Sequence, residues 1–568
     1  MKITRGLLAA AVLVAGAVLA APPATAAGTT YYVDRTNPAC SDSGPGNATT
    51  PWCTFTPVNS HGAFGPGDSI LLARGVIWDQ WLDLEGSGTA AEPITLGAFG
   101  AGAKPKITNN DTANSGYGIR VTDGSHWVIK DLEIDGAGAN KLDAGVQVVY
   151  PAERRFGLTL SNLYVHHNRL GIAVTGAASA GIDDVVITGV EGTHNETSIA
   201  LGSGTTPASF IRGALISKVN LHHDDGAPAP ERDCRDSLAL QSATDLIVTN
   251  SLISYAGGCH APAGTTGVYV GHVADSTLLN NIIVNTAQTA SPDQSGIVFQ
   301  AGASNVAVRG NYLGGHPRWS VEVLNIHQSP AGDHAGVVVD ANAMALNGTG
   351  DSIYKYGTLS TSTGTIDRNL WQGTSLTRAD GTTFAGFVIG GQGANPGPVT
   401  SDRVWYAARD YTNAQGYQGW RYEYSTDASV TWSPLTYISA AQGWRRAADG
   451  LPMINQWNLA PAGGTSARVA RSWTAPATGT VAITGQVAMS SSVGDGVRVH
   501  VLRTTGNGAN TVVLGPITVG AGDLAGKPTA VSSLQVAAGD VIRFVVDSGT
   551  SGANGGDTVN WSPAIGYL

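Results

Sequence analysis

Charge is scarce in this chain. Of its 568 residues, 13% are Asp, Glu, Lys or Arg, and the balance is −10. Such a chain offers no cationic stripe to a phosphate backbone, which argues against a nucleic-acid partner. Cysteine is equally sparse: there are four, none spaced C-x-x-C, so the usual zinc-binding patterns are missing. Beyond Ala21 no apolar run approaches the roughly 18 residues that would cross a membrane. A helical period is also lacking, and residues 28–110 read as short strand-like segments broken by turn residues.

What is present begins with a basic start (Lys2, Arg5), an apolar run from Leu7 to Ala21 and the small-residue site Ala24-Thr25-Ala26. That is the pattern of a secretory signal over residues 1–27, so an exported, soluble, monomeric protein is expected. Thiols in an oxidising compartment tend to pair, and an even count leaves none over. Cys40 with Cys53 and Cys234 with Cys259 are the expected disulfides.

A strand-like tetrapeptide recurs through the middle of the chain, opening on Gly or Ser: Gly118-Ile-Arg-Val, Gly145-Val-Gln-Val, Gly171-Ile-Ala-Val, Ser198-Ile-Ala-Leu, Ser237-Leu-Ala-Leu, Gly267-Val-Tyr-Val and Gly296-Ile-Val-Phe. Subtracting start positions gives spacings of 27, 26, 27, 39, 30 and 29. Two further apolar strands follow each opening strand, with a polar residue at the corner between them (Asp131, Asn162, Lys218, Asn250, Asn281). One coil cannot bury its inward face. Stacked coils share a core, and each strand pairs with those about 4.8 Å above and below. The period therefore predicts an all-β parallel solenoid in which equivalent residues form columns.

The segments Tyr31-Tyr-Val-Asp34, Thr50-Pro-Trp-Cys-Thr-Phe55 and Gly65-Pro-Gly-Asp-Ser-Ile-Leu-Leu-Ala-Arg-Gly75 lead into this repeat. Together they resemble secreted bacterial right-handed parallel β-helix proteins, the group that includes pectate-lyase-like enzymes. The resemblance covers roughly residues 30 to 330 and implies a right-handed coil and a polysaccharide substrate. A capped β-helix is expected over residues 28–384. From about residue 385 the rung period is lost, and seven of the 13 Trp lie between Trp405 and Trp561. Alternating strands such as Gly479-Thr-Val-Ala-Ile-Thr-Gly-Gln-Val487 predict a β-sandwich over residues 385–568. Ser472-Trp-Thr-Ala-Pro and Asp557-Thr-Val-Asn-Trp561 resemble jelly-roll modules appended to carbohydrate-active enzymes, whose aromatic faces stack on sugars.

Two columns carry the functional expectation. The outward position of the opening strand reads Arg120, Gln147, Ala173, Ala200, Ala239, Tyr269, Val298, a shallow groove floor. A second column, past the third strand, reads Gly136, His167, His194, His223, Tyr255, Thr286. The 39-residue interval adds a loop rich in acids between these columns, and a Cys234–Cys259 bridge would hold it, with His260, against the groove.

Glycoside hydrolysis needs two carboxyl groups, and crowded acids supply one with a raised pKa. Asp225 and Asp236 are the expected pair, Asp224 a supporting acid, and His223 or His260 orients them. Arg120, Gln147, His194, Arg235, Gln241, Tyr255 and Tyr269 are expected to bind substrate. Glu231 and Asp233 read as solvated loop charges, and Asp143, Glu196 and Asp293 form the reserve of acids. The motifs of polygalacturonases are absent.

The alternative reaction is elimination on a uronate polymer, in which calcium would suit the oxygen-rich loop and Arg232, Arg235 or Lys218 would serve as base or neutraliser. Asn195-Glu-Thr197 resembles alginate-lyase-like β-helices. A glycan-binding protein without catalysis is the third reading.

Overall fold

The computed structural model describes residues 28–568 apart from 109–115, 137–141, 178, 203–209, 225–235, 259–264, 326–332, 358–361, 382, 392, 427–430, 448–449, 465, 550–551 and 553–554. Its first part is a right-handed parallel β-helix. Two faces of the coil belong to a 24-stranded sheet and the third to an 11-stranded sheet. One rung runs Ala144–Tyr150, Arg154–Ser161, Tyr164–His166, and the next runs Leu170–Gly176, Gly181–Thr188, Glu191–Thr193.

The opening strands stack in the register read from the repeat. Ile119, Val146, Ile172, Ile199, Leu238, Val268 and Ile297 are successive partners, so the 39-residue interval is one rung carrying an insertion. Backbone crowding explains why these strands open on small residues. A Cβ on Gly171 would stand 2.5 Å from the Ser198 carbonyl oxygen of the rung above.

Inward residues form one continuous apolar core from Val33 to Leu376. The corner between second and third strands is turned by a left-handed residue: Asp131, Asn162, Lys218, Asn250 and Asn280 all have φ between 50° and 62°. The polar residue expected there at 281 is thus one step late. Asn281 instead opens a buried ladder in which each Nδ2 donates to the next Oδ1 at 3.0 Å, through Asn311, Asn342 and Asn369.

The Cys40–Cys53 disulfide forms, with Cα atoms 5.1 Å apart, beside Trp52 and Phe55 at the start of the core. Cys234 and Cys259 lie outside the described residues. Among the described residues no helix is long and apolar enough to cross a membrane.

Parallel pairing continues past the expected boundary at 384, because Phe387–Ile389 still adds to the strand Gly364–Asp367. Antiparallel sheets of four, six and seven strands follow, forming a sandwich-like region. Trp420, Trp473 and Trp561 are fully buried in its core, so these rings pack the sandwich instead of facing sugar. A third apolar cluster joins both parts, placing Ile282, Tyr312 and Leu370 of the helix against Val404, Tyr406 and Ala564.

Candidate active site

The groove floor exists as a column. Arg120, Gln147, Ala173, Ala200, Ala239, Tyr269 and Val298 are consecutive strand partners on the outward face, and the column continues through Glu322 and Tyr354 to Arg378. Gln241 lies two residues beyond Ala239 on the same partly exposed face. The Arg120 guanidinium lies over the Tyr117 ring at 5.3 Å.

The acids expected at the insertion separate. Asp236 stands at the head of its opening strand, 9% exposed, and its Oδ1 accepts from the Thr266 hydroxyl at 2.7 Å and the Thr266 N–H at 3.2 Å. Its negative charge also bears on Tyr269, whose phenol is pushed up to about 12, chiefly by burial and then by Asp236.

Asp224 does not join it. This residue is fully buried, and its Oδ1 accepts from the Ser198 hydroxyl at 2.7 Å and the Asn195 N–H at 3.3 Å. Asn195 in turn accepts from Asn168, so Asp224 ends an internal polar ladder. The expected place in the groove is therefore corrected to an interior one: the left-handed turn at His223, φ 52°, breaks the alternation after Leu221 and His222 and leaves position 224 buried. Asp225, Arg235 and His260 lie outside the described residues, as do Glu231, Arg232 and Asp233.

The ring column is real and runs along the corner where the third face meets the first. His167 stacks on His194 at 5.1 Å, His194 on His223 at 6.2 Å, and His223 on Tyr255 at 4.7 Å. Each of the four has φ between 52° and 59°, the left-handed turn that aims its ring outward. Asn285, with φ 55°, occupies the next place, one residue before the expected Thr286. Thr286 lies inside and bonds the buried His316. Close by, Arg169 pairs with Asp143 at 3.2 Å, and Glu196 is nearly buried.

At the lower end of the ring column, Asp135, His166 and His167 form a small cluster able to hold a metal ion. Lys106 and Glu133 adjoin it.

One acid was not anticipated. Glu322 sits in the groove column, 2% exposed, and its Oε2 accepts from the Ser295 hydroxyl at 2.7 Å. Burial and then the nearby Asp293 push its carboxyl up to about 8. Asp293 is itself raised by burial, against the opposing charge of Arg318. A signal for Glu322 exists in the sequence: Ser320-Val-Glu-Val repeats the opening tetrapeptide, although its spacing from Gly296 is shorter than those before it.

Residues 96–329 match the family described as "Right handed beta helix region". No curated protein sequence matches the chain. Among solved structures it is similar to a lacto-N-biosidase from Eubacterium ramulus, at 18% identity over 64% of this chain and 67% of that one, with a TM-score of 0.48. It is also similar to an alginate lyase from a Paenibacillus species, at 17% identity over 56% of this chain and 93% of that one, with a TM-score of 0.35.

Proposed function

We propose that this protein is a secreted polysaccharide-degrading enzyme whose substrate lies along the outward column from Arg120 to Tyr354. The observation that supports its chemistry is the parting of Asp224 from Asp236. With Asp224 inside, Asp236 is the described carboxylate of the insertion whose charge reaches the Tyr269 phenol of the groove column, and the rings of His194, His223 and Tyr255 line the neighbouring corner of the coil. That set suits β-elimination on a uronate polymer. Arg169 would neutralise the uronate carboxylate, with His194 beside it as a hydrogen-bond partner, and His223, the exposed ring, would take the adjacent proton. Tyr269, held as the phenol by burial and by Asp236, would protonate the departing oxygen. Tyr255, 47% exposed at the rim, offers a face to a sugar ring.

Calcium has no step in this reading. The metal-capable cluster among the described residues contributes two imidazoles and one carboxylate, whereas calcium takes six to eight oxygens.

A second reading has its own support. Glu322 and Asp293 are two carboxyl groups on one groove, one kept protonated near neutrality, as acid catalysis in glycoside hydrolysis requires.

Digestion of a panel of acidic and neutral polysaccharides tests both. Elimination leaves an unsaturated, ultraviolet-absorbing uronide, whereas hydrolysis releases reducing ends without that absorbance. Elimination is expected; hydrolysis that is lost in Glu322→Gln would move the chemistry to the second pair, and cleavage of nothing in the panel would overturn both.

A further inference from the structure

The third face carries one constellation twice, two rungs apart. Glu133, Asp135, His166 and His167 in the first copy correspond by strand register to Glu191, Thr193, His222 and His223 in the second. The matching distances are close. His166 Nε2 lies 3.3 Å from Glu133 Oε1, and His222 Nε2 lies 3.3 Å from Glu191 Oε1. The paired Nδ1 atoms stand 2.7 Å apart in the first copy and 2.9 Å apart in the second.

They differ at one chemically decisive place. Where the first copy has the Asp135 carboxylate, the second has the Thr193 hydroxyl, 3.3 Å from His222 Nδ1. The first copy is also better enclosed, with the His166 side chain 6% exposed against 23% for His222.

We propose that Asp135, His166 and His167 form a binding site for a divalent transition metal of the zinc type, and that the second copy does not. Asp135 Oδ1 lies 3.3 Å from His166 Nδ1 and 3.5 Å from His167 Nδ1, which closes a triangle with the 2.7 Å side between the two nitrogens. Ligand atoms about 2.0–2.1 Å from a tetrahedral zinc stand roughly 3.3–3.4 Å apart, so the triangle matches one face of that tetrahedron once the nitrogens part slightly. Three protein ligands leave the fourth position to water or substrate.

The surroundings orient each ligand. With Nδ1 on the metal, His166 carries its proton on Nε2 and donates it to Glu133, the carboxylate–histidine–metal arrangement. Lys106 contacts Glu133 at 2.6 Å and Asp135 Oδ2 at 3.1 Å, which occupies the second oxygen and leaves Oδ1 aimed at the histidines. The Tyr164 ring, stacked on His166 at 4.2 Å, holds the imidazole plane. Imidazole nitrogens select zinc, nickel or copper over calcium.

Calorimetric titration of the full chain with zinc alone, and with calcium alone, tests the site. One zinc per chain is expected and no calcium at these residues. Asp135→Thr, which turns the first copy into the second, should abolish it, as should His167→Ala at the more exposed ligand, with folding checked by circular dichroism. Glu133→Gln should weaken zinc about 10–100-fold. Cobalt in place of zinc should give the visible absorption of a four-coordinate ion, lost in the same variants. Zinc binding that survives unchanged in both folded ligand variants would overturn the assignment, and so would calcium displacing zinc from the site. Thr193→Asp should add a second, weaker zinc; an unchanged stoichiometry there would overturn the claim that the carboxylate decides between the copies.

Discussion

Asp224 and Asp236 are both buried but answer to different partners: the first accepts a hydrogen bond from the Ser198 hydroxyl, the second from the Thr266 hydroxyl. Substitution should separate them. Asp224→Ala leaves the Ser198 hydroxyl and the Asn195 N–H without that acceptor, and a loss of about 1–3 kcal/mol in denaturant unfolding is expected. Asp236→Asn keeps an acceptor oxygen for Thr266, so stability should change little while turnover falls, by less than on loss of the Tyr269 phenol itself, because only the charge bearing on that phenol is removed.

Tyr269→Phe removes the proposed proton donor without changing ring packing. Turnover should drop about 10²-fold or more with an unchanged melting temperature, and His223→Ala should do the same. A Tyr269→Phe enzyme with unaltered turnover would exclude the phenol from the chemistry.

Glu322 makes stability depend on pH. Its folded-state pKa of about 8 lies above the ordinary carboxyl value of 4.5, so the folded protein holds a proton that the unfolded chain releases. Its contribution is complete below pH 4.5 and is lost as pH rises towards 8, by about 5 kcal/mol in all. Glu322→Gln should flatten this part of the profile, measured as unfolding midpoint against pH.

Asn311 both receives from Asn281 and donates to Asn342, so it joins three rungs at once. Asn311→Ala strands polar groups on both neighbours and should cost about 2–4 kcal/mol, since each buried group left unsatisfied costs about 1–3 kcal/mol. Asn311→Asp should cost at least as much, because it places a charge in the core. Urea midpoints for the two variants check this.

A chain ended at residue 384 lacks the strand Phe387–Ile389 and bares Ile282, Tyr312 and Leu370, which the sandwich covers. Each such side chain returned to water forfeits about 1.5–3 kcal/mol. The truncated helix should keep its parallel strands but melt earlier and aggregate; ending the chain after Val399, which keeps the last strand, should recover part of the loss. We propose that boundary for a separable helix.

The period of the sequence determined the solenoid, its register and the ring column, because stacking repeats one set of backbone contacts at each rung. Gly145, Gly171 and Ser198 could be read as equivalent for that reason, and so could His167, His194 and His223. Tertiary structure decided what happens where the chain turns. A left-handed residue at a corner shifts inward and outward facing by one place, which hid the buried Asn281 ladder, moved Thr286 inside and sent Asp224 to the interior. It also decided which side chains of different rungs meet. Asp135 precedes His166 by 31 positions, and no local pattern relates them; only the height of one rung, set by backbone hydrogen bonding, brings that carboxylate to the two imidazoles.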